Sequence, residues 1–233
     1  SLQAHCSAMI RHLPDSFVCF DPPLDAPPVM PTPAEASRQF TFGYFGNPAK
    51  CGSDVIKLWA DILSRVPAAR LLLKYKGFGD EACRLTFEKH FAAFGVEASR
   101  LRFEGASPIA DLFGTMQQVD LALDPFPFAG GLMTCLTLWM GVPVVTWPGE
   151  TFASRQGLSL LTTIGVENTV AASAEDYVQI AVTLAGDPPA RNLLRQRLRP
   201  AMTSSPLCDG GRAGAALQKL LRDLWRERCA SPE

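Results

Sequence analysis

The sequence predicts an α/β fold built on a doubly wound parallel sheet. Three observations carry that expectation. Strand-like runs alternate with helix-like runs from residue 40 to residue 200, the order that βαβ units produce. Two strand runs, VDLALD and VPVVTW, are apolar without alternation, as expected of strands covered on both faces. Helix start and stop residues fall between the runs, where connections belong.

The elements follow in order. FTFGYFG reads as the first strand. SDVIKLWADILSRV follows as a helix, with Val55, Leu58, Trp59, Ile62, Leu63 and Val66 on one stripe, Ser53 as its cap and Pro67 as its stop. RLLLKY is the second strand. DEACRLTFEKHFAAFG is a helix closed by Gly95. RLRFEG, ADLFGTMQQ, VDLALD, GLMTCLTLWMG and VPVVTW continue as strand, helix, strand, helix, strand. ETFASRQGLSLLTTIG reads as a helix closed by Gly165, with Glu150 near its cap, and a short strand is expected over Val166–Val170. AEDYVQIAVTLAG is helical. A last helix carries Leu217, Leu220, Leu221, Leu224 and Trp225 on one stripe. Trp59, Trp139 and Trp225 are expected in the core, and His90 outside it.

The 233 residues are 47% hydrophobic and 19% charged, so a packed core is readily built. The net charge of −1, with signs intermixed, argues against nucleic-acid and anionic-membrane partners. Seven cysteines without a CxxC pair fit a reducing, cytoplasmic setting. The three histidines do not cluster with them, so no metal site and no cofactor are expected. No apolar run is long enough to span a membrane, and the first residues lack signal-peptide character. Six prolines between Pro22 and Pro33 mark residues 22–39 as a semi-rigid linker. Residues 1–21 then read as the stub of something upstream, or the whole stretch as an ordinary proline-rich N-terminal arm, with 40–200 the α/β domain and 201–233 a C-terminal helical extension.

Ligands of open parallel sheets bind beyond the carboxyl ends of the strands. Three loops are expected there: FGNPAK, DPFPFAGG and PGETFASR. Gly130 and Gly131 lead into a helix. Glycines admit a ligand close to the backbone, and free N–H groups at a helix start favour an anion such as a pyrophosphate. Lys50 can supply an ammonium, Asn47 a neutral hydrogen bond and Arg155 a second cation. The local pattern fits equally a plain turn and a solvated lysine. Asp124 ends a strand at the ligand face and can bond the loop that follows. Trp147 either lines the cleft or packs beneath it. Cys135 reads as a small buried residue.

The combination FGNPAK … DLALDPFPFAGG … LWMGVPVVTWPGETFASRQG resembles the C-terminal lobe of the O-GlcNAc transferase family, including bacterial SPINDLY-like members that follow tetratricopeptide repeats. RHLPDSFVCFDPP is similar to that family's segment joining the two lobes. The resemblance covers nearly the whole chain. It implies the C-terminal lobe of a two-lobed GT-B type glycosyltransferase, binding UDP-N-acetylglucosamine or another UDP-sugar. It implies Ser or Thr hydroxyls, an Asn amide or a sugar as acceptor. By position it implies Lys50 as the essential lysine at the donor diphosphate, with Asn47 at the phosphates or sugar. Gly131, Leu132 and Met133 occupy the helix start that grips the pyrophosphate, and Leu136 the place of an acidic residue on the ribose.

The chain departs from that pattern. Relatives carry hydroxyls or a His where it has Gly131, Leu132 and Met133, an acid in place of Leu136, and a His about where it has Leu112. Three lost hydrogen bonds weaken donor binding by roughly two to three powers of ten. With one lobe and no tetratricopeptide repeat, the chain is expected to need an N-terminal lobe from the same or another chain, and to transfer sugar poorly alone. The alternative is a non-catalytic interaction module or a degenerate remnant that has lost donor binding. A Rossmann dehydrogenase is disfavoured, because no GxGxxG follows the first strand.

Overall fold

A computed structural model describes residue 3, residues 7–37 and residues 39–230. His5, Cys6 and part of the 1–21 stub lie outside the described residues. Five parallel strands form one sheet: β1 (Thr41–Phe45), β2 (Arg70–Lys74), β3 (Leu101–Glu104), β4 (Leu121–Leu123) and β5 (Val144–Val145). Their order is β3-β2-β1-β4-β5. The sheet therefore grows from β1 in one direction through β2 and β3, then from its other edge through β4 and β5. Phe42 of β1 lies beside Leu71 on one side and Leu121 on the other. Reversal of strand order between β1 and β4 opens a crevice at their carboxyl ends.

The helices are α1 (Pro33–Ser37), α2 (Ser53–Arg65), α3 (Glu81–Ala92), α4 (Ile109–Met116) and α5 (Leu132–Trp139), then α6 (Gln156–Thr163), α7 (Ala174–Gly186), α8 (Pro188–Ser204) and α9 (Gly210–Ala230). Helix α2 buries Val55, Ile56, Trp59, Ala60, Ile62 and Leu63, the stripe that a 3.6-residue period places on one face. Its N-cap is Gly52 rather than Ser53, which is already the first helical residue. Asp80 caps α3 by accepting from the Cys83 N–H at 2.8 Å. Gly95 and Gly165 follow their helices with φ of 78° and 68°, the left-handed region that glycine enters without steric cost.

Three expectations are corrected. The strand over Val166–Val170 is only an isolated bridge between Thr146 and Val170, because β5 offers two residues and the ladder has nothing to extend along. The helix expected from Glu150 starts at Gln156. Thr151 and Ser154 first close a turn on each other, with Thr151 N–H donating to Ser154 Oγ at 3.0 Å, so exposed Glu150 caps nothing. Trp225 is 71% exposed rather than in the core, and no residue of α9 is buried. That helix is tied to the N-terminal segment instead by Arg212, whose guanidinium meets Asp15 at 2.6 Å through two nitrogens.

The proline-rich stretch is strapped to the domain by side chains of α8. Arg199 donates to the Pro27 carbonyl at 2.8 Å, and Arg195 to Met30 O at 2.8 Å and Val119 O at 2.9 Å. Fully buried Asp120, just before β4, accepts from Thr32 Oγ1 and from the N–H groups of Ala34 and Thr41 at 3.0 and 2.9 Å. Prolines cannot donate, so the strap is held through carbonyls at Pro27 and Met30 and through the donors of Thr32 and Ala34. Replacing Asp120 by Ala orphans these donors beside the Arg191 and Arg195 guanidiniums, and is expected to cost about 3 kcal/mol or more in urea unfolding. An unchanged midpoint would contradict this role.

Candidate functional site

A cleft of about 300 Å³ opens at the carboxyl ends of β1 and β4, where the strand order reverses. Its walls come from the loop after β1, the loop after β4 and the first turns of α5. Asn47, Lys50, Gly130, Gly131, Leu132 and Met133 all line it. The structure thus brings together six of the eight residues singled out in the sequence.

Asp124 organises the floor. Its side chain is 4% exposed, and both oxygens are occupied: Oδ1 accepts from Gly130 N–H and Oδ2 from Thr146 Oγ1, each at 2.7 Å. Its backbone carbonyl accepts from Tyr177 Oη at 3.0 Å, and that oxygen accepts from Trp59 Nε1 at 3.0 Å. The loop after β4 is thereby drawn back over the strand end, and the start of α5 is aimed into the cleft. The turn requires glycine at residue 130 and leaves more freedom at 131, where only the flexible end of Gln156 stands close. A Cβ on Gly130 would collide with Thr134 Oγ1 and stand 3.0 Å from Asp124 Oδ1, and one on Gly131 would stand 2.8 Å from Gln156 Oε1. Burial pushes the Asp124 carboxyl up to about 6, although Thr146, Gly130 and Lys50 all favour its charged form.

Lys50 reaches across the mouth. Its ammonium donates to Ala129 O at 3.0 Å and sits 3.9 Å from the centre of the Phe128 ring. Partial burial lowers its proton affinity, and Asp124 opposes that effect. The ammonium is half-buried and poised beside the Gly-Gly turn. Asn47 is exposed, and its Oδ1 caps the short turn Pro48–Lys50 by accepting from Ala49 N–H at 3.1 Å. Tyr44 Oη donates to Asn47 O at 2.9 Å and fixes the same loop from below.

Leu132 is 67% exposed at the helix start, with Met133 beside it. The first N–H groups of a helix have no intrahelical partner, so this end of α5 presents donors to the cleft. Two residues are not brought in. Leu136 is 5% exposed and packs in the hydrophobic core, so it meets the domain interior rather than the cleft. Arg155 is exposed and donates to Gly149 O at 3.2 Å, within its own loop. Leu112 packs against the core, and Trp147 packs on Phe126 with ring centres 4.8 Å apart; neither lines the cleft. Cys135 is buried, and burial pushes its thiol up to about 12, far from a nucleophile.

Sequence reasoning missed Thr134, Tyr44 and Gln156. Thr134 and Tyr44 line the cleft, and Gln156 closes over Gly131. The place of Thr134 in the first turn of the helix that GG announces was legible; that its hydroxyl stays free was not.

The raised carboxyl of Asp124 sets a pH dependence. Its folded value near 6 lies above the ordinary 3.8, so its stabilising contribution is complete below about pH 4 and lost as pH rises through about 6. A two-unit shift amounts to about 3 kcal/mol. The stability of the wild type minus that of Asp124→Asn, read from urea midpoints, should fall by about this amount from pH 4 to pH 7. A flat difference would contradict the buried setting.

With the geometry in hand, comparison with known proteins is direct. Residues 36–216 match the family model described as glycosyl transferase family 41. A probable UDP-N-acetylglucosamine–peptide N-acetylglucosaminyltransferase SPINDLY of Solanum lycopersicum is 40% identical over 228 residues, covering 97% of this chain and 24% of the relative. The chain therefore spans about a quarter of the length of the curated relatives it matches. A mutant O-GlcNAc transferase of Thermobaculum terrenum superposes with a TM-score of 0.81 at 32% identity, over 90% of this chain and 39% of that one. Anabaena HepE, solved with UDP and glucose, shares the fold with a TM-score of 0.54 at 16% identity, over 82% of this chain and 50% of that one. The five-stranded parallel domain is that of the C-terminal lobe of GT-B glycosyltransferases. The chain is a member of glycosyl transferase family 41.

Proposed function

We propose that this chain is the nucleotide-sugar lobe of an O-GlcNAc-transferase-like enzyme, holding a UDP-sugar, UDP-N-acetylglucosamine first among them. One observation carries the reading: the Lys50 ammonium and the N-terminal turn of α5 face the same cleft at the strand-order reversal. The N–H groups of that turn suit a diphosphate. The UDP-N-acetylglucosamine named for the SPINDLY relatives supports the nucleotide sugar, and the UDP in the Anabaena protein supports the nucleotide.

In this reading an acceptor hydroxyl attacks the anomeric carbon, the bond from that carbon to the diphosphate oxygen breaks, UDP leaves, and the hydroxyl proton passes to the departing diphosphate or to water. Negative charge grows on the β-phosphate. Lys50 meets it with a charge-assisted hydrogen bond in a partly desolvated setting, which stabilises the transition state more than the ground state. To do so the ammonium gives up Ala129 O, a neutral acceptor, for a charged one. The acceptor would be presented by an opposite lobe, in the same polypeptide or a partner. The non-catalytic alternative draws on Leu132, Met133 and Leu136, which offer neither hydroxyl nor carboxylate to a donor.

Calorimetric titration of UDP into the purified chain tests the reading. Saturable binding is expected, weakened about 10-fold or more by Lys50→Ala. Equal affinity in the variant would remove Lys50 from the site. Because burial lowers the lysine's proton affinity, wild-type affinity should fall as pH rises, beginning below the ordinary lysine value of 10.5. Lys50→Ala should lack that fall. Replacing Leu132, Met133 and Leu136 by Thr, Thr and Glu should tighten UDP binding by the first two changes. The third places an acid in the core and is expected to destabilise the fold.

A further inference from the structure

The hydroxyl of Thr134 is unusual for this chain. Five helical threonines turn theirs back to the carbonyl four residues earlier: Thr86, Thr115, Thr137, Thr163 and Thr203, at 2.7 to 3.1 Å. Thr134 does not. The residue four before it, Gly130, lies outside the helix, in the turn held by Asp124. Thr134 is 6% exposed and lines the cleft, and its hydroxyl has no hydrogen-bond partner among the described residues. The oxygen is not among the buried unpartnered polar atoms of the described residues, so it opens onto the cleft.

The surroundings keep that hydroxyl in place. Its oxygen occupies the space a side chain on residue 130 would take, so the glycine both forms the turn and admits the oxygen. The Thr137 hydroxyl, one turn on, is already engaged with Met133 O at 2.7 Å. The hydroxyl of Thr134 therefore sits beside the unpartnered N–H groups at the start of α5, on the wall of the cleft that Lys50 overlooks.

We propose that Thr134 is a diphosphate-binding residue, donating its hydroxyl to a phosphate oxygen held at the start of α5. This rests on the reading of the cleft as a UDP site and adds a residue to it. Leu132 and Met133 bring no hydroxyl to this helix start; Thr134 brings one from the next position in the same turn. A phosphate oxygen there gives the free hydroxyl a charge-assisted bond. It also gives this chain a route to donor binding that does not depend on the side chains at 132 and 133.

The test uses the full chain and UDP, with Thr134→Val and Thr134→Ser. Valine keeps the shape and removes the hydroxyl; serine keeps the hydroxyl. Thr134→Val should weaken UDP binding about 10-fold, equivalent to about 1.4 kcal/mol, while Thr134→Ser stays within about threefold of wild type. Without ligand, the Tm of Thr134→Val should stay close to that of wild type, because the hydroxyl makes no bond within the protein. Unchanged UDP affinity in Thr134→Val would overturn the assignment. So would a lower Tm in that variant, or equal weakening by valine and serine, either of which marks a packing role. A wild-type chain that fails to bind UDP at all would overturn the UDP reading itself, before any variant at 134 is compared.

Discussion

The site depends on one buried carboxylate. Asp124 ends β4 with both oxygens inside the protein, one on the Gly130 N–H and one on the Thr146 hydroxyl. Its backbone carbonyl anchors Tyr177 of α7, which in turn holds Trp59 of α2. A charge in that position is costly unless every lone pair finds a donor. Here the carboxylate's donors are the Gly130 N–H of the turn and the Thr146 hydroxyl beyond β5, while two helices hold the backbone carbonyl of the same residue. The same bonds that make burial tolerable also fold the loop back and direct the start of α5 into the cleft. Gly130 follows from this: with the turn pulled so close to Asp124 and Thr134, a Cβ there has no room.

The short strand β4 carries such a group at each end. Asp120 precedes it and gathers the N-terminal strap; Asp124 follows it and gathers the ligand-facing turn. A three-residue central strand makes few ladder bonds, and these carboxylates fix both of its ends. The strap is thus joined to the domain rather than trailing from it. The arginines of α8 complete that join by donating to carbonyls that proline leaves free.

Much of this was legible in the sequence. Alternating runs, apolar β4 and β5 and the glycine stops placed every strand of the sheet, because burial on two faces leaves a clear mark on composition. The strand expected after Gly165 was not realised, since β5 is too short to template a sixth. Lys50, Asn47 and the Gly-Gly turn came together because the loops at one edge of a parallel sheet must converge. Leu136 and Arg155 did not join them: one faces the core, and the other serves its own loop. Trp225 shows a limit of periodicity, which reports an apolar face but not whether anything covers it. Thr134 was passed over because a threonine within a helix ordinarily satisfies itself on the preceding turn. Only the structure shows that this one does not.

Family membership and fold account for the scaffold, whereas the contents of the cleft rest on Lys50 and the start of α5. The most direct measurement is a crystal structure of the chain with UDP bound. The account predicts the diphosphate at the N-terminus of α5, within hydrogen-bond distance of Lys50 Nζ and the N–H groups of that first turn. UDP bound elsewhere, or with Lys50 still on the Ala129 carbonyl and its ammonium away from the phosphates, would contradict it.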